Sequence, residues 1–202
     1  MFDEKITKYR YYNILDCNLV FTNTLNNNSL MENCKLIIIA AVSIDGVIGI
    51  DDQMPWRIPE DFKHFRETTM GNMLLVGYTT YKTLPPKAFE GREYMVLNGS
   101  HPIENTPNIY QFRSFEMISH VLNSDSNNVE KIFIAGGAKI YDLFIDHCDE
   151  AIITWVNKKY PEGNKLFPIE KLLLNFGVEA DQEWQTSKTG LEYKITKYKR
   201  NG

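Results

Sequence analysis

The fold is decided by residues 36–49, which read LIIIAAVSIDGVIG. The first seven are apolar and rich in isoleucine, as is typical of a short strand buried on both faces of a sheet. Asp45 and Gly46 follow soon after, and both residue types favour a turn. Residues 131–145 form a second unit of this kind, with a strand at 131–135, a turn at Gly136–Gly137 and a helix at 138–145.

Strand-like and helix-like segments alternate along the remaining chain. Helices are predicted at residues 59–70 and 115–122, and strands at 73–76, 94–97, 151–156 and 191–198. The last strand alternates between apolar and polar residues, which is the pattern of an edge or antiparallel strand. The sequence therefore predicts an α/β fold in which helices cover both faces of one central sheet.

Composition limits the possible functions. The 202 residues suffice for one domain, and 22 basic against 26 acidic residues give a net charge of -4, which argues against nucleic-acid binding. Cys17, Cys34 and Cys148 have no metal-type spacing, so neither a disulfide framework nor a metal site is predicted. The longest apolar run has seven residues, too few to cross a membrane, and a reducing cytoplasm is the expected location.

Residues 1–30 differ in character from the rest of the chain. They contain an asparagine-rich stretch at residues 23–29 and show no sustained hydrophobic period. We expect residues 1–30 to be a polar, mobile extension and residues 31–202 to form the functional domain. The alternative is a tail that binds a partner, for which Tyr9, Tyr11 and Tyr12 are the candidate contacts.

Asp61 is the first candidate for chemistry. It lies in the first turn of the helix predicted at residues 59–70, beside Phe62 and Phe65. A carboxylate on an apolar face is costly without a partner, and a cationic or amidine-like ligand is one such partner. The alternative is that Asp61 only caps its helix, since the positive end of the helix dipole favours an acid.

Arg92 and the Gly136–Gly137 pair are weaker signals. Arg92 could hold a carboxylate with its two-pronged guanidinium, or it could be a solvated surface charge. The glycine pair could let a pyrophosphate approach backbone N–H groups, or it could be an ordinary turn. The sequence has no serine in a nucleophile-elbow motif and no histidine pair with zinc spacing.

Taken in order, these motifs resemble the dihydrofolate reductase family. The match runs from about residue 34 to residue 200 and comprises Ile39-Ala40-Ala41, Val47-Ile48-Gly49, Met54-Pro55-Trp56 with Asp61, Gly77, Gly91-Arg92, Ile134-Ala135-Gly136-Gly137 with Tyr141, Thr154 and Phe167-Pro168. The resemblance implies a three-layer α/β/α fold with a mostly parallel mixed sheet of about eight strands, an antiparallel C-terminal edge strand and about four flanking helices.

The resemblance also implies a reaction and the residues that perform it. Family members transfer a hydride from NADPH to C6 of 7,8-dihydrofolate, with protonation at N5, and so supply tetrahydrofolate for one-carbon and thymidylate metabolism. The implied catalytic residues are Asp61, Trp56 and Thr154. The implied substrate-binding residues are Ile39, Ala40, Phe62, Phe65, Leu84 and Arg92, of which the last would hold the α-carboxylate of the glutamate tail.

By the same resemblance, the loop at residues 44–56 would close over the nicotinamide, and the glycine pair would meet the pyrophosphate, often through a cis peptide. The implied cofactor-binding residues are Ala41, Ile48, Gly49, Gly77, Tyr78, Thr79, Thr80, Leu97, Ser100, Ala135, Gly136, Gly137, Ala138, Lys139, Ile140 and Tyr141. The expected partner is the small-molecule substrate alone, without nucleic acid or membrane, and the expected state is a monomer.

Two departures from the family pattern affect these expectations. Tyr78 stands where a basic residue usually holds the 2′-phosphate of NADPH, and we expect Lys139 to compensate. Further candidates are the hydroxyls of Thr79 and Thr80, Ser100 and His101. Asn164 and Lys165 follow Gly163 where many bacterial members have an acid, which should change how the loop at residues 44–56 docks. Two other functions stay open at this point: a pyrimidine reductase of riboflavin synthesis, and a binding module that has lost catalysis.

Overall fold

Residues 34–101, 103, 106–123 and 129–202 are described by a computed structural model, and the extension predicted at residues 1–30 lies outside them. The helices are α1 (Pro59–Thr69), α2 (Tyr78–Thr83), α3 (Phe115–Leu122), α4 (Ala138–Phe144) and α5 (Ile169–Asn175), with 3₁₀ turns at Pro86–Phe89 and Ile145–His147. The strands are β1 (Lys35–Ser43), β2 (Val47–Gly49), β3 (Met73–Gly77), β4 (Glu93–Leu97), β5 (Ile109–Phe112), β6 (Lys131–Ile134), β7 (Glu150–Val156), β8 (Lys165–Leu166), β9 (Phe176–Asp181), β10 (Gln185–Thr186) and β11 (Glu192–Arg200).

One nine-stranded sheet organises the fold, in the order β10-β11-β7-β1-β6-β3-β4-β5, with β9 also paired to β11. The strands from β7 to β5 are parallel, whereas β11 runs antiparallel to β7. The mostly parallel sheet with an antiparallel C-terminal strand is therefore confirmed. The sequence pattern did not predict β9 and β10, which pair with the outer side of β11.

Alternate residues of β1 supply the two cores of a three-layer structure. Leu36, Ile38, Ala40 and Val42 pack in a buried cluster with residues of α3, α4 and α5. Ile37 and Ile39 point to the other face, where Phe65 of α1 and Tyr81 of α2 pack against their cluster. Each fully buried isoleucine stabilises the fold by roughly 1.5–3 kcal/mol, so β1 is fixed at the centre of the sheet. The predicted layers are confirmed.

The chain reverses its direction of winding between β1 and β6. From β1 it continues through α1 to β3 on one side, and from β6 it continues through α4 to β7 on the other. The β1–β6 pairing ends at Ile38 and Ile134, whereas β1 stays paired with β7 as far as Ser43. In open α/β sheets ligands bind at such a switch point, beyond the carboxyl ends of the strands. This crevice is therefore the candidate position of a ligand site.

None of the helices in the described part of the chain is long and apolar enough to cross a bilayer.

Candidate active site

Asp61 faces the central sheet from the first turn of α1. The Thr154 hydroxyl donates to its carboxylate, and Thr154 is buried on β7 directly opposite Ala41 of β1. The N-cap residue of α1 is Ile58, and no side chain forms an N-cap bond. Asp61 therefore makes no N-cap bond, although it lies in the first turn, where the helix dipole favours an acid.

Asp61 is partly removed from water, and its charge acts on the tyrosines around it. Burial raises the pKa of Asp61, and the hydrogen bond from Thr154 only partly opposes this. The pKa of Tyr141 is raised mainly by burial and also by the negative charge of Asp61. The pKa of Tyr193 is raised by burial and by the charges of Glu60 and Asp61. Such a half-buried carboxylate favours a ligand that presents hydrogen-bond donors.

Trp56 lies at the end of the loop, five positions before this acid in the sequence. Its indole is 6% exposed and packs with Val47, Ile58 and Tyr193, while its ring centroid is 5.2 Å from that of Tyr160. The indole Nε1 is buried and has no hydrogen-bond partner among the described residues. Buried donors are nearly always satisfied, so this N–H is available to a water or a ligand.

The predicted substrate residues are brought together only in part. Ile39, Phe65 and Leu84 pack in or against one apolar cluster on the α1 face of the sheet. The side chain of Ala40 belongs to the core on the opposite face, so only its backbone can contribute here. Phe62 is 48% exposed, which places much of its ring in solvent rather than against the acid.

Arg92 is buried although it carries a full charge. It is 5% exposed, its guanidinium carbon lies 5.8 Å from the ring centroid of Phe65, and its Nη1 is 3.5 Å from Thr69 Oγ1. Its Nε is buried without a hydrogen-bond partner in the part of the chain that the structure describes. The alternative of a solvated surface charge is wrong, and an anionic ligand would satisfy this group.

Tyr94 is a site neighbour that the sequence analysis missed. Burial raises its pKa, while the charge and hydrogen bond of Arg92 act in the opposite direction, and its hydroxyl donates to the Ala88 carbonyl at 2.7 Å. Tyr94 follows Arg92 by two positions in the sequence. Arg92 lies directly before β4 and Tyr94 is the second residue of that strand, so strand periodicity alone did not predict the contact.

Two strand–helix junctions meet at the carboxyl ends of the neighbouring strands β3 and β6. The Gly77 amide, before α2, donates to the Gly136 carbonyl, before α4, at 2.8 Å, and the expected cis peptide at Gly136–Gly137 is confirmed. A Cβ added to Gly137 would lie 3.1 Å from Thr80 Oγ1, and one added to Gly77 would lie 3.1 Å from Ile140. A Cβ at either position would make a tight contact, and the glycines leave the backbone open to close approach by a phosphate.

The predicted cofactor residues around these junctions have different environments. The Tyr78 ring stacks on His101 with centroids 4.9 Å apart, and Ser100 Oγ lies 3.2 Å from His101 Nδ1. Tyr141 is buried, and its hydroxyl donates to the Ile39 carbonyl at 2.8 Å. Thr79 and Lys139 are exposed, Ile140 is buried, and Leu97, Ala135 and Ala138 are partly buried.

The active-site loop, residues 44–56, is docked on the segment at residues 157–166. Asp45 accepts from Ser43 Oγ and from the Tyr160 amide. Although burial alone would raise the pKa of Asp45, these bonds outweigh it and lower the pKa. At the other side of the loop β2 pairs with β8, which brings Ile48 and Gly49 beside this segment.

Asn164 makes the most specific contact of this docking. Its Oδ1 accepts from the Asp51 amide at 2.8 Å, and its Nδ2 donates to Asp51 Oδ1 at 2.8 Å. The Asn164 amide also donates to the Gly49 carbonyl at 3.2 Å. An acid at this position could not donate and would repel Asp51, so the departure at Asn164 gives this chain a reciprocal amide–carboxylate contact.

Comparison with known proteins agrees with this geometry. A family model described as dihydrofolate reductase matches residues 35–200. The chain is 32% identical to the dihydrofolate reductase of Mycoplasma genitalium over 150 residues, which are 73% of this chain and 92% of that protein. It is 29% identical to the dihydrofolate reductase of Mycobacterium tuberculosis over 168 residues, 81% of this chain and 97% of that protein. The chain belongs to the dihydrofolate reductase family of oxidoreductases.

Proposed function

We propose that this chain reduces 7,8-dihydrofolate to tetrahydrofolate with a hydride from NADPH. One observation carries the proposal: Phe65 lies one helical turn from the half-buried carboxylate of Asp61 and packs against the buried guanidinium of Arg92. Arg92 has no carboxylate partner among the described residues. A ligand that has a flat ring, hydrogen-bond donors at one end and a carboxylate at the other would match this arrangement.

Asp61 would bind the pterin through its 2-amino group and N3. These are hydrogen-bond donors, and Thr154 would hold the carboxylate toward them from β7. Because burial raises the pKa of Asp61, the group exchanges a proton more readily near neutral pH and can help place one at N5. The free Nε1 of Trp56 would bind a water or the substrate beside that acid.

The apolar wall and the guanidinium would hold the rest of the substrate. Ile39, Phe65 and Leu84 belong to one face of the sheet and would contact the pterin and the benzoyl ring. Arg92 would form a two-pronged contact with the α-carboxylate of the glutamate tail. Binding at both ends fixes the ring between them, and orientation of this kind is a large part of catalysis.

The residues at the two strand–helix junctions fit a dinucleotide. Gly77, Gly136 and Gly137 would present backbone atoms to the pyrophosphate, and Thr80 would add its hydroxyl. Ala41, Ile48 and Gly49 would line the nicotinamide pocket, and the active-site loop would exclude water from it. The nicotinamide, when bound, supplies the hydride.

We also propose that NADPH is preferred over NADH. Tyr78 cannot supply the positive charge that a 2′-phosphate requires, so Lys139, with its exposed side chain, would supply it. Equal kcat/KM values for NADPH and NADH would contradict this part. A monomer in the cytoplasm, with residues 31–202 as its catalytic domain, completes the proposal, and the buried free thiol of Cys148 is consistent with a reducing compartment.

A spectrophotometric assay tests the function directly. NADPH consumption is followed with and without dihydrofolate, then in the presence of a 2,4-diaminopyrimidine, whose amidine-like face should pair with Asp61. Consumption that depends on dihydrofolate and stops with the inhibitor is expected. Folded protein that consumes no NADPH would refute the proposal, and consumption with a ribosylaminopyrimidine alone would favour a pyrimidine reductase.

A further inference from the structure

The start of α1 has no side-chain cap of its own. Its N-cap residue is Ile58, and Pro59 follows. The amides of Asp61 and Phe62 both donate to the Ile58 carbonyl, at 3.1 and 3.2 Å. Because an isoleucine side chain cannot accept a hydrogen bond, the segment that carries Asp61 depends on contacts from outside the helix.

Those contacts come from the turn at residues 187–190, which connects β10 to β11. Thr189 Oγ1 donates to the Arg57 carbonyl at 2.8 Å, across 132 positions of the sequence. The Lys188 amide donates to Glu60 Oε1 at 3.2 Å, across 128 positions. The two bonds hold the chain on either side of Ile58, directly before and directly after the helix begins.

The turn is internally ordered and is also connected by apolar packing. The Ser187 amide donates to the Leu191 carbonyl at 2.8 Å, and the Ser187 and Thr189 hydroxyls lie 2.8 Å apart. At the base of the hairpin Tyr193 belongs to the same buried cluster as Trp56 and Ile58. A polar and an apolar contact therefore fix the same short segment to the last hairpin of the chain.

We propose that Glu60 and Thr189 are positioning residues for Asp61, an inference that rests on the role of Asp61 in the proposed function. Asp61 follows Glu60 directly, and its carboxylate meets Thr154 on β7. A shift of the first helical turn therefore moves the carboxylate relative to that strand. A misplacement of about 1 Å can reduce a rate about 100-fold, so a hairpin outside the pocket would influence kcat.

The contact made by Glu60 uses one oxygen rather than the charge. Its Oε1 accepts from Lys188, whereas its Oε2 is buried and has no hydrogen-bond partner among the residues described. Glu60→Gln keeps an accepting oxygen, and Glu60→Ala removes it. In the same way Thr189→Ser keeps the hydroxyl and Thr189→Val removes it.

Hydrogen exchange tests the proposal without relying on turnover. In the full chain, exchange of the Asp61 and Phe62 amides, followed by NMR, is expected to be about tenfold faster in Glu60→Ala and Thr189→Val. It is expected to stay unchanged in Glu60→Gln, in Thr189→Ser and in the control Lys63→Ala, whose side chain is 74% exposed on α1. Unchanged exchange in the two removing variants would overturn the proposal.

Steady-state assays of the same variants complete the test. Because both bonds are exposed, the removing variants should lose about two- to fivefold in kcat, with little change in the KM for NADPH and with the largest loss at high pH, where solution acid cannot replace a displaced carboxylate. An equal loss in Glu60→Gln and Glu60→Ala would overturn the proposal, since then the charge and not the accepting oxygen matters. A parent chain that consumes no NADPH counts against the proposed function, whereas the exchange rates still decide the role of Glu60 and Thr189.

Discussion

The acid centre, Asp61 with Thr154, and the active-site loop, residues 44–56, are held in place by different interactions. The acid centre lies between α1 and the central sheet, where Thr154 is 2% exposed. The base of the active-site loop is held by the part-buried bond from the Tyr160 amide to Asp45, whereas its tip is held through the Asp51–Asn164 contact, whose hydrogen bonds are exposed. Because water competes for exposed polar contacts, each is weaker than a buried one. Substitutions at the two places should therefore differ greatly in effect.

The largest effect is expected at the acid centre. Asp61→Asn should lower kcat/KM for dihydrofolate roughly 10²- to 10⁴-fold near neutral pH, because the amide can neither carry the charge nor transfer the proton. Initial rates of NADPH consumption measure this. The control is Asp142→Asn, which changes an exposed carboxylate that pairs with Lys171. Parent-like kinetics for Asp61→Asn would remove Asp61 from the mechanism.

The same substitution should have the opposite effect on stability. Burial raises the folded-state pKa of Asp61 above its unfolded value, so the ionised form is penalised on folding. The stability from this group is complete below the unfolded pKa and is lost as the pH rises through the folded pKa. Asp61→Asn should therefore raise Tm at neutral pH, and the gain should vanish in acid. Thermal unfolding at several pH values measures this difference. A gain in Tm that stays the same at every pH would contradict the account.

The next largest effect is expected at Arg92. Arg92→Leu should raise the KM for dihydrofolate roughly 10- to 100-fold, because it removes one charged contact with the substrate. The change in kcat should be smaller. Arg66→Leu is the matched control, because Arg66 lies on α1 and is exposed. A KM that stays constant in Arg92→Leu would mean that the buried guanidinium has a structural role only.

An intermediate effect is expected where the two strand–helix junctions meet. Gly137→Ala places a Cβ 3.1 Å from Thr80 Oγ1, in the space proposed for the pyrophosphate. The KM for NADPH should rise about tenfold, which corresponds to about 1.4 kcal/mol, while the KM for dihydrofolate changes less. Separate titrations with NADPH and with dihydrofolate measure the two affinities. A larger loss of affinity for dihydrofolate than for NADPH would contradict this prediction.

The smallest effect is expected in the active-site loop. Asn164→Asp removes the donor to Asp51 and brings two carboxylates together, so hydride transfer should slow about two- to fivefold. Asn157→Asp is the matched control, since its amide donates at 2.7 Å to Glu192 and not to the loop. A loss as large as that of Asp61→Asn would show that the loop and the acid centre are not different in kind.

The sequence predicted the central sheet and the position of Asp61 because both depend on local pattern. The isoleucine run of β1 admits one buried arrangement, and Asp61 falls in the first turn of a helix that Pro59 starts. Short segments without an apolar pattern were missed. β8 has only two residues, Lys165 and Leu166, both exposed, and neither carries the signal of a strand.

The environments of charged residues could not be predicted in the same way. Arg92 could have been a surface charge, because its burial depends on Phe65 and Thr69, which are far from it in sequence. The Asp51–Asn164 contact likewise joins positions 113 residues apart. Such contacts arise from tertiary packing, which a local pattern does not encode.

A crystal structure of the chain with folate and oxidised NADP tests the central claim most directly. The account predicts that the 2-amino group and N3 of the pterin donate to the Asp61 carboxylate, while the α-carboxylate of the tail lies against Arg92. A pterin bound elsewhere, with Asp61 facing water and no ring beside it, would contradict the account.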